Sequence, residues 1–164
     1  MMNDPVFLDS AAFLRVWQRV AGTADARSTP AQPETDALTA QLRDCICAKA
    51  AVAAFCAALA QRLFAYRQPL WQIAAQERAQ LRALQTEHFL RTGTLCVPPA
   101  ACPRLSTAAQ DLRCVYWQEL ALSAQLDAAA DAAPGPLRET LHTMARQDAQ
   151  HAQRVRALLS GLIF

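Results

Sequence analysis

The sequence predicts an all-α fold: an up-down four-helix bundle of two helical hairpins joined by a crossover, with a short helix ahead of it. Three observations lead there. Four long stretches carry apolar residues at the i, i+3, i+4, i+7 spacing that places them on one side of a helix. Each stretch has one charged residue in the middle of that apolar stripe: Lys49, Glu77, Glu119 and Asp148. The four also form two similar halves, since Lys49 and Glu77 are 28 residues apart and Glu119 and Asp148 are 29 apart.

Taken in order, Asp9 or Ser10 can cap a short helix with Phe13, Val16, Trp17 and Val20 on one face. Residues 22–35 are rich in Thr, Pro, Ala and Asp without periodicity and read as a linker. The chain thus divides into an N-terminal helix and linker, residues 1–35, and the bundle, residues 36–164. Thr35 or Asp36 caps the first bundle helix, which runs to about Tyr66 with Leu42, Cys45, Ile46, Val52, Ala53, Cys56 and Leu63 around Lys49. The second helix spans about Gln68 to Arg91, with Pro69 accepted in its first turn and Gly93 ending it. Its stripe places Leu70, Ile73, Ala74, Leu81 and Leu84 around Glu77, with Gln80 a turn on. A connection with three prolines, Leu95 to Leu105, leads to a third helix capped by Ser106 or Thr107 and running to about Asp131; Leu112, Val115, Tyr116, Leu122 and Leu126 flank its Glu119. Pro134-Gly135-Pro136 breaks the chain before the fourth helix, Leu137 to about Leu159. Short connections within each half and a longer one between them make two hairpins and a crossover.

The fourth helix places Leu141, Met144, Ala145, Ala152, Val155 and Leu159 on one stripe, with Asp148 near its middle and His151 at its edge. A carboxylate and an imidazole therefore face the core, where an unpaired charge is costly and normally finds a partner or a metal. The same helix holds a second acid-x-x-His, Glu139 to His142. Nine residues at about 100° each turn that copy to the opposite side, toward solvent.

Each half thus carries a lone polar residue on its first helix and an acid-x-x-Gln or acid-x-x-His on its second. Over residues 36 to 162 this layout resembles the ferritin-like, rubrerythrin-type four-helix bundle, in which two helices give a Glu each and two give Glu-x-x-His to a pair of metal ions. The ligands depart from that pattern: Lys49 stands for the first Glu, Gln80 for the first His and Asp148 for the last Glu. The resemblance implies a degenerate di-iron centre in which Lys49 and Gln80 are the lost ligands of one metal. The other metal keeps Glu119, Asp148, His151 and a share of Glu77. One imidazole with three carboxylates suits Fe(II) or Mn(II), with zinc as a competitor. The three carboxylates carry about −3 and Lys49 +1, so one divalent ion brings the site to neutrality, and the lysine ammonium can hold the carboxylates where the first metal would sit.

Two readings stay open on these residues. The protein is either a metal-free scaffold with a buried Lys/carboxylate network, or a binder of one divalent ion. The alternative is a rubrerythrin-like two-metal oxidoreductase in oxidative stress or iron handling, which a lysine at the first metal position disfavours. No catalytic residue is assigned. Tyr116, one turn before Glu119, either packs in the core or donates a hydrogen bond to the ligands. His88 shares a face with Glu77 but lies roughly 16 Å along the helix, and reads as packing at the bundle end.

Composition narrows the classes. The chain has 164 residues, 53% of them hydrophobic, enough for one domain with a sizeable core. A net charge of +2 gives no electrostatic surface for nucleic acid. Of the 16 basic residues Lys49 is the one lysine, which makes its place on a core-facing stripe pointed. The apolar run Cys45 to Ala60 is short for a bilayer and interrupted by Lys49, so no membrane span is expected. The N-terminal stretch does not read as a signal peptide, and a cytoplasmic protein is expected. Six cysteines include no Cys-x-x-Cys, so the rubredoxin-like iron module of many rubrerythrins is not expected. Cys96 and Cys102 either pair across a loop or, as favoured inside a cell, stay free thiols. Analogy with ferritin-like relatives gives a homodimer as the expected assembly.

Overall fold

The computed structural model describes residues 33–162, and the helix expected around Phe13, Val16, Trp17 and Val20 lies outside the described residues. Four helices make up the rest: α1 (Pro33–Arg62), α2 (Arg67–Thr92), α3 (Ala108–Ala132) and α4 (Gly135–Leu162). Among the described residues there is no strand, and no helix is long and apolar enough to cross a membrane.

The helix ends follow local chemistry. α1 begins at Pro33, ahead of the expected Thr35 or Asp36, with the fixed φ of proline suited to a first turn. It stops at Arg62 and not near Tyr66: Leu63 leaves the helical region (φ −98°, ψ 81°), and a 3-10 turn over Phe64–Tyr66 reverses the chain. The reversal lets both Leu63 and Tyr66 pack against the core. Gly93 ends α2 in the left-handed region (φ 70°), its N–H donating to the Phe89 carbonyl. Thr107 caps α3, its hydroxyl accepting from the Gln110 N–H at 3.3 Å. Ala133 is extended ahead of Pro134, as sterics at a pre-proline position require, and this ends α3. In place of a glycine cap, Arg138 from the first turns of α4 donates to the Ala130 and Asp131 carbonyls at 3.2 and 3.4 Å.

α1 packs on α2, α3 on α4, and α1 on α3; α2 and α4 approach each other far less. The apolar core is in two parts. One cluster gathers Leu42, Ile46, Leu84, Leu126, Leu141 and their neighbours; the other gathers Val52, Leu59, Leu70, Leu112, Val155 and theirs. The first cluster draws on the N-terminal halves of α1 and α4 and the C-terminal halves of α2 and α3, so α1 and α4 run one way and α2 and α3 the other. The charged mid-stripe residues lie between the clusters along every helix and divide the core.

Candidate metal centre

Lys49, Glu77, Glu119 and Asp148 are each fully buried, and His151 nearly so. The phase of each stripe explains this: a helix that buries Ile46 and Val52 must also bury Lys49, and Asp148 lies between Ala145 and Ala152 in the same way. Four helices thus deliver one polar side chain each to a single layer, and α4 adds His151 one turn on.

The layer is tightly paired on one side. Lys49 Nζ donates to both oxygens of Asp148, each at 2.6 Å, and lies 2.9 Å from Glu77 Oε2. On the other side, His151 Nδ1 lies 3.0 Å from Glu77 Oε1 and 3.5 Å from Glu119 Oε2. Neither oxygen of Glu119 has a hydrogen-bond partner of good geometry. One ligand atom from each of Glu77, Glu119, Asp148 and His151 falls within a set whose members are all within 4.8 Å of one another.

Electrostatics follow from burial and these contacts. Burial disfavours ionised Asp148 and Lys49 opposes it, while the charges of Glu77 and Glu119 add to the burial, and its carboxyl is pushed up to about 7. Glu119 is also raised, by burial and by Glu77, against the pull of His151. Glu77 moves the other way: burial is outweighed by its contacts with His151 and Lys49, and its pKa is lowered. Burial would lower His151, but the close carboxylates of Glu119 and Glu77 overcome it and carry the imidazole to about 9. Metal-free, the layer therefore favours the protonated forms of His151, Asp148 and Glu119 more than water would, and favours the ionised form of Glu77.

The remaining candidates divide. Gln80 is buried, and its Nε2 donates to Gln147 Oε1 at 2.8 Å across α2 and α4. Tyr116 packs half-buried against the second apolar cluster and edge-on to Trp117; among the described residues no hydrogen bond joins it to the carboxylates. Glu139 is exposed, and His142 is half-exposed with Nδ1 2.9 Å from Asp127 on α3. His88 is buried near the end of α2, Nδ1 3.2 Å from the Thr94 carbonyl, as a packing residue would be. Cys45 and Cys56 flank Lys49 on the α1 stripe; burial lifts the first to about 11 and the second well above its ordinary value, and neither is among the groups that converge with His151. Cys96 and Cys102 are free.

Two residues here carried no stripe signal. Gln76 Oε1 lies 2.7 Å from His151 Nε2, although Gln76 sits on the exposed side of α2. Asp111 is buried at the start of α3, where it accepts twice from the Ser106 N–H and pairs with Arg62 at 3.2 Å. A lone acid in the first turn of a helix could have pointed to such an anchoring role.

The donor set fits a hard divalent cation: three carboxylates and one imidazole converge, and a buried carboxylate faces that space without a hydrogen bond. Comparison with known proteins adds no family to this chemistry: no family model matches the chain, and neither a curated protein nor a solved structure does.

Proposed function

We propose that this chain is a ferritin-like bundle whose two-metal centre has been reduced to a site for one divalent ion, held by Glu77, Glu119, Asp148 and His151, with Lys49 as a built-in cation in place of the other. The opposed helix pairs support the ferritin-like part, since α2 and α3 running the same way require the connection between them to travel the length of the bundle. The observation that carries the ion is Glu119: a fully buried carboxylate with both oxygens lacking a hydrogen bond, next to an imidazole nitrogen and a second carboxylate. A buried carboxylate whose nearest ring nitrogen stands off at 3.5 Å is under-compensated, and a divalent cation is the partner that removes the cost. A bound Fe(II) or Mn(II) would supply Lewis acidity or one-electron chemistry; the chain's own part is to bind it, fix its neighbours and keep bulk water away. A second ion is disfavoured, because Lys49 Nζ already stands among the oxygens it would need.

The metal-free scaffold remains as a second reading, on one observation: Lys49 already grips both oxygens of Asp148. Elemental analysis of the full chain purified without chelator separates the two. The single-ion reading expects close to one Fe, Mn or Zn per chain, lost in Asp148→Ala and in His151→Ala. No bound metal after incubation with excess Mn(II), Fe(II) or Zn(II) would leave the scaffold, and two ions per chain would restore the oxidoreductase reading.

A further inference from the structure

We propose that Gln76 is the residue that orients His151 for metal binding: it accepts the proton on Nε2, so that Nδ1 is the nitrogen presented to Glu77, Glu119 and the ion. The ion half of this rests on the single-ion reading above; the imidazole half rests on geometry alone. A neutral imidazole has one N–H and one lone pair, and the partner of one nitrogen decides where the other points its lone pair. Here α2 supplies partners for both edges of the ring from adjacent residues, Gln76 Oε1 2.7 Å from Nε2 and Glu77 Oε1 3.0 Å from Nδ1. The ring itself is buried on α4, so the two contacts hold its rotation, and an acceptor oxygen at Nε2 favours a proton there.

The carboxamide oxygen suits the task in both states of the site. With or without an ion, the same oxygen can hold an Nε2–H while Nδ1 faces the carboxylates. Hydrogen-bond partners of this kind behind a metal-binding histidine typically contribute 10–100-fold to affinity. Gln76 is exposed, and its neighbour in the bridge between these two helices, Gln80–Gln147, touches no nitrogen of the ring.

The test uses the full chain, zinc as a diamagnetic probe, and 15N-labelled histidine. In Gln76→Leu the zinc dissociation constant should rise by about 10–100-fold, and Gln76→Glu, which keeps an acceptor oxygen, should return it to within about threefold of wild type. Gln147→Leu, which cuts the Gln80–Gln147 bridge between α2 and α4, should change it by less than about twofold; an equal loss there would mean that Gln76 merely ties the helices together. Zinc-bound wild type should show the nitrogen shifts of Nδ1 coordination, and the metal-free protein a slowly exchanging His151 Nε2–H that disappears in Gln76→Leu. Nε2 coordination, or wild-type affinity in Gln76→Leu, would overturn the proposal. A wild type that takes up no zinc removes the single-ion reading and the ion half of this one, while the Nε2–H signal in the metal-free protein still decides whether Gln76 sets the ring.

Discussion

α4 carries the acid-x-x-His pattern twice, and the two copies have opposite fates. Asp148 and His151 are buried among Lys49, Glu77 and Glu119; Glu139 is exposed, and the His142 side chain keeps 37% of its surface beside a 54% exposed Asp127. Both copies pair an acid with a histidine three residues on, within one helix. What differs is phase, since nine residues rotate one copy about half a turn from the other. A metal-binding pattern on a helix is therefore only as informative as its register with the apolar stripe.

The largest expected break between the regions is Lys49→Ala. It leaves carboxylates buried without their cation and should cost about 3–5 kcal/mol in chemical denaturation of the metal-free protein, part of which added Mn(II) returns. A midpoint equal to wild type would mean that the layer does not hold charge as described.

Next comes pH. His151 binds its proton more tightly folded (about 9) than at its ordinary value of 6.5, so its stabilising contribution is full below pH 6.5 and is lost as pH rises through about 9. Asp148, raised to about 7, acts with the same sign at lower pH. The metal-free melting temperature should fall from pH 6.5 to 9, with roughly 3 kcal/mol at stake, and His151→Gln should flatten that slope. Ion binding displaces the His151 proton, so affinity for Mn(II) should rise over the same window. Titrations with a flat response would remove the imidazolium from the layer.

On the ferritin-like reading proposed above, the double change Lys49→Glu with Gln80→His should supply the two ligands that pattern has and this chain lacks, and raise bound metal to two per chain. At an ion concentration about 100-fold above its dissociation constant the second ion would add roughly 2.7 kcal/mol of stability. Metal stoichiometry that stays at one would show that more than these two substitutions closed the position. The smallest effect belongs to the surface copy: His142→Ala loses an exposed pair with Asp127 and should cost about 0.2–1 kcal/mol in the same denaturation assay, with no change in metal content.

Much of this arrangement was legible because helical phase is a strong signal over long amphipathic stretches. Lys49, Glu77, Glu119 and Asp148 each interrupt a stripe, and a residue in a stripe has no other place to go. Gly93, Thr107 and Pro134 marked ends by backbone chemistry that acts locally. The end of α1 was missed because Leu63 to Tyr66 holds no glycine or proline, and the turn there follows from Leu63 and Tyr66 finding the core. Gln76 was missed for a different reason. It lies off the stripe, and only the reach of its side chain across to α4 brings it to the ring. Contacts made by long side chains between helices depend on how far apart the helices stand, which no periodicity encodes.

The polar layer between two greasy halves has one more consequence, for alignment. Leucine-rich surfaces slide over one another at small cost, and two hairpins with apolar faces could dock in several positions a helical turn, about 5.4 Å, apart. In this bundle only one of those positions lets Lys49 meet Asp148 and Glu77. Every other would press an ammonium or a carboxylate against aliphatic carbon. The five buried groups act as a vernier, and the mark they set is the one at which all four helices agree on their height.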